Sequence, residues 1–298
     1  MNITALIVTW NRLSQLKKSV KATLALPFQH VVIVNNSSTD GTKNWLEELD
    51  DTRIHLIHAD NNLGGSEGFY LGSEYIANYL ITDWVVFYDD DAWPAANFFE
   101  VFKKISTHNV AIICSKVIDC QGNICRMNLP WRKRTVSLID NILYMIGDSS
   151  FVVDDSCINE VISCSFVGSI INANILKVTY SLIHRQLFIY YDDVYYGYHL
   201  YLLGYTLHYH PEIIMYHDIG QREKNIIAHW KIYYLVRNMF LARHIFKNNP
   251  FFTNSAILVR LIKYSILVLK APKKAEGVLT LLKAIKDGIM NKYTHFKR

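Results

Sequence analysis

The stretch WVVFYDDDAWP, residues 84–94, places three acidic residues directly after an apolar run. The run is short, continuous and rich in valine and aromatic residues, which is typical of a buried strand. Because Asp89, Asp90 and Asp91 repel one another, a cation is expected beside them. In an extended segment Asp89 and Asp91 point the same way, and their carboxylates suit Mn²⁺ or Mg²⁺. We expect such an ion to hold a diphosphate; the alternative is a solvated loop whose acids cap the next helix.

Three more strand-like runs precede this one, and helix-like segments separate them. The strands are predicted at ITALIVT (3–9), HVVIVNN (30–36) and RIHLIHA (53–59), and the helices at 11–26, around 42–49 and from 61–68 to about Leu80. Pro94 fits the first turn of a further helix. This alternation with short connections predicts an α/β protein with a doubly wound, mostly parallel sheet and helices on both faces.

Polar residues follow each of these strands. In doubly wound sheets ligands bind beyond the carboxyl ends of the strands, so we expect one polar rim formed by Thr9–Asn11, Asn35–Asn36, Asn61–Gly65 and Asp89–Asp91. The glycines of NNLGGSEG (61–68) permit close backbone approach, and the helix that follows favours anions. The segment is neither GxGxxG nor GxxxxGK, which argues against a Rossmann dinucleotide site and a P-loop.

The second half of the chain has a different pattern. We predict irregular structure at 116–163, a strand and then a helix at 163–176, a helix ending at Gly204, a strand at 205–218, an amphipathic helix at 225–248, and two further helical pieces broken near Ala271–Pro272.

Two features of this half are candidates for chemistry. The acid pair of YYDDVYY (190–196) is set among aromatic residues, where burial would raise a carboxylate pKa towards that of a useful base. The alternative is a pair of acids that oppose a helix dipole. His217 ends an apolar run and is either a satisfied structural residue or a third metal ligand.

The segment WKIYYLVRN (230–238) places Trp230, Tyr234 and Arg237 near one face of a helix. The pattern fits either core residues with a surface arginine, or an aromatic and cationic wall for a sugar or lipid-phosphate acceptor.

Composition narrows the class of protein. The 298 residues are 51% hydrophobic and 19% charged, enough for a sizeable core. The net charge of +5 is concentrated in 243–298, without a nucleic-acid-binding motif. Five cysteines without a CxxC pair argue against zinc or a disulfide framework. We expect no signal peptide, and the apolar region 256–269 is cut by Arg260 and Lys263, so no spanning helix is expected.

Taken in order, VTWNR, VIVNNSSTDGT, NNLGGSEGF, FYDDD, FIYYDDVYY, His217 and WKIYYLVRN resemble the family 2 inverting glycosyltransferases. The likeness is greatest to the bacterial branch of galactofuranosyl- and rhamnosyltransferases and covers residues 3 to about 240. It implies a GT-A fold at 1–248, with a nucleotide-sugar half at 1–115 and an acceptor half at 116–248. A basic amphipathic helical C-terminal extension would follow at 249–298.

The resemblance also implies a role for each matching residue. Those expected at the nucleotide sugar are Thr9, Arg12, Asn35, Asn61, Gly64, Gly65 and Asp90. Those expected to bind Mn²⁺ or Mg²⁺ are Asp89, Asp91 and His217. Asp193 would be the catalytic base, and the acceptor would contact Asp192, Trp230, Tyr234 and Arg237. The chain departs from the family at Asn35, where Asp is frequent, and at Tyr195 and His199, where Glu and Arg are usual.

The function implied is metal-dependent, inverting transfer of a sugar, with galactofuranose or rhamnose favoured, from a UDP- or dTDP-sugar. The acceptor would be a hydroxyl of a lipid-linked surface polysaccharide, such as O-antigen or capsule, at the cytoplasmic membrane face, with the extension on the membrane surface. One alternative is a nucleotidyltransferase, although VTWNRLSQ lacks the basic glycine-rich loop that such an enzyme wants. Another is a catalytically silent module that binds nucleotide sugars or glycans.

Overall fold

The computed structural model describes residues 1–147, 149–220 and 228–296. Within these residues one sheet contains the strands β1 (Ile3–Thr9), β2 (His30–Asn35), β3 (Ile54–His58), β4 (Trp84–Asp89), β5 (Ala92–Pro94), β6 (Val110–Ile118), β7 (Asn159–Glu160), β8 (Ser169–Asn172) and β9 (Thr206–His217).

Helices cover both faces of this sheet and continue beyond it. They are α1 (Leu13–Leu24), α2 (Thr42–Glu47), α3 (Gly65–Tyr79), α4 (Phe98–Phe102), α5 (Leu138–Ile146), α6 (Ala173–Thr179), α7 (Asp192–Leu202), α8 (His229–Ile245), α9 (Asn254–Lys270) and α10 (Lys274–Ile289).

The strand order is β3-β2-β1-β4-β8-β6-β9-β5, and β7 pairs with β9. The strands β1 to β4 are mutually parallel, and β8 is antiparallel to both β4 and β6. Successive residues of β2 enter opposite cores: Val31 and Ile33 pack on one side, Val32 and Val34 on the other. The predicted doubly wound, mostly parallel sheet with helices on both faces is confirmed, and it is the GT-A arrangement.

The prediction of irregular structure at 116–163 is wrong in part. Strand β6 extends to Ile118, and α5 occupies Leu138–Ile146. The start of α5 has a capping box, in which the Ser137 hydroxyl accepts from Asp140 N and the Asp140 carboxylate accepts from Ser137 N. The helical spacing of Leu138, Ile142 and Ile146 was a signal for this helix that the sequence prediction did not use.

From His229 onwards the described chain is mainly helical, as predicted. Helix α8 covers most of the predicted 225–248, of which residues 225–227 lie outside the described residues. Helices α9 and α10 are separated at Ala271–Pro272, where the predicted break lies. Among the described residues, none of the helices has the length and apolar character needed to cross a bilayer.

Candidate functional site

The carboxyl ends of the parallel strands bring the predicted polar rim together. Thr9 at the end of β1 is in register with Asn35 at the end of β2, and Val8 is in register with Asp89 at the end of β4. The turn after β4 carries Asp90 and Asp91 into the same rim. The residues expected there are therefore neighbours in space.

Asp89, Asp91 and His217 form a cluster with the geometry of a metal site. One ligand atom from each residue lies within 4.8 Å of the other two. His217 reaches the cluster because β5 pairs with the far end of β9, so that Ala92 is in register with His217. Two carboxylates and an imidazole are a ligand set that divalent cations accept.

A second residue orients the imidazole of His217. Its Nδ1 lies 3.1 Å from Oδ1 of Asn128, and Nδ2 of Asn128 donates to Ser165 Oγ at 2.9 Å. An Nδ1–H donated to Asn128 leaves the Nε2 lone pair directed at the acids. Sequence reasoning missed Asn128, which lies in a segment without a recognisable pattern.

The charges in the cluster are only partly balanced. Arg12 pairs with Asp91 Oδ2 and lies 3.3 Å from Asp90 Oδ1. Burial and the neighbouring charges of Asp91 and Asp90 raise the pKa of Asp89 well above its ordinary value. Asp91 Oδ1 is buried, lies 3.1 Å from His217 Nε2 and accepts no hydrogen bond from the described residues. A buried carboxylate oxygen without a donor fits a metal ligand.

Two residues expected at the nucleotide sugar bind each other. Thr9 Oγ1 donates to Asp90 Oδ2 at 2.8 Å, and Trp10 N lies 3.3 Å from the same oxygen. Both Thr9 and Asp90 are buried, so they join the ends of β1 and β4. Arg12 keeps 44% of its side chain exposed and remains within reach of a ligand.

The glycine-rich loop is fixed by close backbone contacts. Gly64 has φ +90°, and a Cβ there would lie 1.9 Å from the carbonyl oxygen of Phe188. Asn36 Nδ2 donates to Gly64 O at 2.7 Å, while Asn36 Oδ1 is buried and accepts nothing from the described residues. At Gly65 a Cβ would meet no described atom within 4 Å, so this side of the loop is open. Asn61 is exposed.

Asn35 lies at the rim, but its amide is already engaged. Its Oδ1 accepts from Ser38 N at 3.0 Å, and its Nδ2 lies 3.2 Å from Nδ1 of His58. The second lone pair of Asn35 Oδ1 could still accept a hydrogen bond from an N–H group of a nucleotide base.

The acid pair lies at the start of α7, and its two members have different surroundings. Asp192 is buried beside Ser66, and its charge contributes to the raised pKa of Asp89. Asp193 is only half-buried, and its Oδ1 accepts from Val194 N at 2.7 Å. Burial and the charge of Asp192 raise the pKa of Asp193 to about 7.

A strained loop precedes the acid pair. Phe188, Tyr190 and Tyr191 have φ values of 72°, 71° and 66°, which are uncommon for such side chains. Asn238 Nδ2 donates to the carbonyl oxygens of Leu187, Ile189 and Tyr190 at 3.2, 2.8 and 3.0 Å. Sequence reasoning missed Asn238 as a positioning residue, although it ends the motif WKIYYLVRN.

The structure places Arg237 away from the surface position expected for an acceptor contact. It is fully buried, and its Nη2 donates to Leu187 O at 2.6 Å and its Nη1 to Thr294 O at 2.5 Å. Tyr234 is buried as well and stacks on Phe188 at 4.8 Å, whereas Trp230 is half-buried. Arg237 thus supports the strained loop from inside.

The two departures from the family pattern have local partners. Tyr195 is buried, and its hydroxyl donates to Asn238 O at 2.8 Å. His199 Nε2 lies 2.8 Å from Nε2 of His184, and burial lowers the pKa of both rings to about 4. These lowered pKa values favour neutral rings near neutral pH, so we do not expect the pair to supply the charge of an arginine.

Comparison with known proteins identifies the family. The family model described as Glycosyl transferase family 2 matches residues 4–166, more than half of the chain. No curated protein matches the sequence.

Solved structures with a similar fold include the following three. S. aureus TarS 1–349 in complex with UDP-GlcNAc is 13% identical, with 98% of this chain and 74% of that chain covered and a TM-score of 0.51. The mannosyltransferase PcManGT from Pyrobaculum calidifontis, in complex with GDP-Man and Mn²⁺, is 13% identical, with coverages of 97% and 75% and a TM-score of 0.53. GalNAc-T7 with UDP, GalNAc and Mn²⁺ is 11% identical, with coverages of 95% and 55% and a TM-score of 0.56. At these identities the likeness is one of fold.

Proposed function

We propose that this chain, which belongs to glycosyl transferase family 2, is a metal-dependent enzyme that transfers a sugar from a nucleotide-sugar donor with inversion. The observation that carries the proposal is the convergence of Asp89, Asp91 and His217 at the rim of the parallel sheet. Phosphate-bearing ligands bind at this edge in doubly wound folds. In two of the similar structures, Mn²⁺ is present with a nucleotide or nucleotide sugar.

Asp89, Asp91 and His217 would hold Mn²⁺ or Mg²⁺, which would neutralise the charge that develops on the leaving diphosphate. Arg12 pairs with two of the acids and is partly exposed, so its guanidinium can turn to a phosphate oxygen. Gly65 gives the donor close access to backbone at the start of α3, where a helix N-terminus favours anions.

Asp193 is the proposed general base. The acceptor hydroxyl oxygen forms a bond to the anomeric carbon while the bond from that carbon to the diphosphate breaks on the opposite face. The hydroxyl proton passes to the Asp193 carboxylate, whose raised pKa of about 7 suits a base near neutral pH. Buried Asp192 belongs, in this proposal, to the side nearer the metal.

The substrates proposed from the sequence resemblance are a UDP- or dTDP-sugar, with galactofuranose or rhamnose favoured, and a lipid-linked surface polysaccharide. The division into a nucleotide-sugar half at 1–115 and an acceptor half at 116–248 is part of the same proposal. So is a peripheral position on the cytoplasmic membrane face. Of the residues expected at the acceptor, half-buried Trp230 is retained as the proposed contact, whereas Asp192, Tyr234 and Arg237 are buried.

The test is a panel of UDP-, dTDP- and GDP-sugars incubated with the protein and a lipid-linked glycan extract. We expect release of nucleoside diphosphate from one donor, loss of this release in EDTA and its return with Mn²⁺ or Mg²⁺. Full release in EDTA would exclude the metal role. Release of pyrophosphate from a nucleoside triphosphate would favour the nucleotidyltransferase. Binding of a donor without any turnover would favour the silent module.

A further inference from the structure

Helix α5 presents an apolar face to solvent. Ile139 and Ile146 are 69% and 79% exposed, and the same face carries Leu138, Ile142 and Leu143, all exposed. These positions follow an i, i+1, i+4, i+5, i+8 spacing, so they share one side of the helix. Isolated exposed apolar residues are ordinary in proteins, but five on one nine-residue helix are not.

The inner side of α5 combines aromatic and polar contacts, and its Tyr144 ring lies 4.4 Å from that of Trp131. Asn141 is fully buried, and its Oδ1 accepts from Thr135 Oγ1 at 2.6 Å and from Arg260 Nη1 at 3.1 Å. Arg260 belongs to α9 and is itself 5% exposed. Polar contacts between Asn141 and Arg260 thus hold α5 against α9, while the apolar side chains face outwards. Covering the outward leucine and isoleucine side chains of α5 with apolar groups would be favourable.

The neighbouring helices also expose apolar residues, although both bury an apolar face in the core. Those exposed are Leu258, Ile262, Ile266 and Leu269 of α9 and Leu279, Leu282 and Ile289 of α10. We call the exposed apolar residues of α5, α9 and α10 named above the apolar docking surface.

The charges around the apolar docking surface are almost all positive. Lys263 and Lys270 are exposed next to Ile262 and Leu269, and Lys273 and Lys274 precede α10. The acids of residues 249–298 are Glu276, which lies 3.5 Å from Lys273 Nζ, and Asp287, which is buried. Asp140 of α5 is occupied in its capping box.

We infer that the apolar docking surface binds an anionic lipid leaflet, with its leucine and isoleucine side chains at the acyl boundary and its lysines among the phosphates. Amphipathic helices with a basic rim bind membranes in this manner. A second copy of the chain is a poorer occupant, because the lysines of the two copies would face one another. The inference rests on the peripheral membrane position in the proposed function and deepens it by naming the surface and the lipid. Lipid binding requires neither donor nor metal, and α5 lies outside the extension 249–298.

The experiment is co-sedimentation of the full chain, in EDTA and without donor, with two kinds of vesicle. One is phosphatidylcholine alone, and the other is phosphatidylcholine mixed with phosphatidylglycerol. We expect binding to the mixed vesicles that weakens with added salt, and weaker binding to phosphatidylcholine. Absence of vesicle binding would not affect the transfer assay, so the two proposals can be rejected independently.

The decisive variant is Ile139→Gln/Ile142→Gln/Ile146→Gln. Removing three large apolar groups from the interface should weaken vesicle binding on the order of 100-fold or more. Because these side chains are exposed, the melting temperature should change little. The matched control is Ile81→Gln/Val178→Gln, at two residues that are 87% and 70% exposed but lie outside the apolar docking surface. This control should bind as the wild type does.

The charge is tested with Lys263→Gln/Lys270→Gln, which should lose about 25-fold on mixed vesicles, about fivefold for each lysine. Unchanged binding by the triple isoleucine variant would overturn the inference. The inference would also be overturned if vesicles bound neither protein and sedimentation velocity showed a wild-type dimer that the triple isoleucine variant does not form.

Discussion

His217 Nδ1 lies 3.1 Å from Oδ1 of Asn128, which joins a predicted metal ligand to a residue that no sequence motif includes. The contact fixes which nitrogen of the ring carries the hydrogen and directs Nε2 at Asp91, 3.1 Å away. The proposed metal site therefore depends on a segment between β6 and β8 as well as on the ends of β4 and β9.

Replacing Asn128 should weaken metal binding without removing a ligand. We expect Asn128→Ala to lose about 10–100-fold in Mn²⁺ affinity, because outer contacts of this kind typically have effects of that size. Calorimetric titration of Mn²⁺ into the wild-type and variant proteins measures this affinity. Asn174→Ala, at an exposed asparagine of α6, serves as the control and should bind Mn²⁺ normally. An Asn128→Ala protein with wild-type affinity would show that His217 needs no such orientation.

The two adjacent glycines of the rim loop should respond very differently to the same substitution. Gly64→Ala introduces a methyl group 1.9 Å from Phe188 O at φ +90°, so we expect a loss of unfolding free energy on the order of 3 kcal/mol or more. Gly65→Ala meets no described atom within 4 Å and should lie within about 0.5 kcal/mol of the wild type. Denaturant unfolding of both variants measures these free energies. Equal losses of unfolding free energy would contradict the described contact between this loop and Phe188.

Asn238 holds the strained loop before the acid pair through three hydrogen bonds. We expect Asn238→Ala to lower the unfolding free energy by about 1–3 kcal/mol and to lower kcat more than it raises the KM of the donor. The reason is that Asp193 would lose its fixed position while the metal residues keep theirs. Asn249→Ala, at an exposed asparagine, is the control. A variant that is destabilised but retains full kcat would assign Asn238 a purely structural role.

The raised pKa of Asp193 has a consequence for stability. Because the folded pKa, about 7, exceeds the ordinary 3.8, the folded state binds the proton more tightly, and this contribution is lost as pH rises from about 4 to about 7. In EDTA, Asp193→Asn should therefore gain melting temperature relative to the wild type as pH rises through that range.

Asp140 provides a comparison of opposite sign. Hydrogen bonds from Ser137 lower its pKa, so its contribution is present at neutral pH and lost as pH falls. Asp140→Asn should accordingly lose melting temperature relative to the wild type at neutral pH and approach it in acid. Parallel pH trends for the two variants would contradict the account of Asp193.

The sequence predicted those parts of the fold and site that depend on local pattern. The continuous β-branched runs of β1, β2 and β4 led to a parallel sheet, and the polar residues after them led to the rim. The pairing of Ala92 with His217 joins segments far apart in the chain, and the resemblance to a family, rather than any spacing, suggested that His217 belongs there.

The remaining features depend on what packs against a helix, which helical spacing does not reveal. Spacing placed Arg237 on one face with Tyr234, but the carbonyls of Leu187 and Thr294 cover that face and bury the guanidinium. Helix α5 did have a local signal, the Ser137 and Asp140 capping box. The helical spacing of Leu138, Ile142 and Ile146 is a second local signal, so this helix was predictable from the sequence, whereas the outward direction of its apolar face was not.

The central claim is that Asp193 takes the acceptor proton at a site where Asp89, Asp91 and His217 hold the donor through a metal. Its most direct test is one matched measurement on Asp193→Asn and wild type: the transfer rate, together with calorimetric affinity for the nucleoside diphosphate with Mn²⁺. We predict a loss of transfer of about 10²–10⁴-fold, the typical worth of general base catalysis, with nearly unchanged affinity. Normal transfer by Asp193→Asn, or a matching loss of nucleotide affinity, would contradict the account.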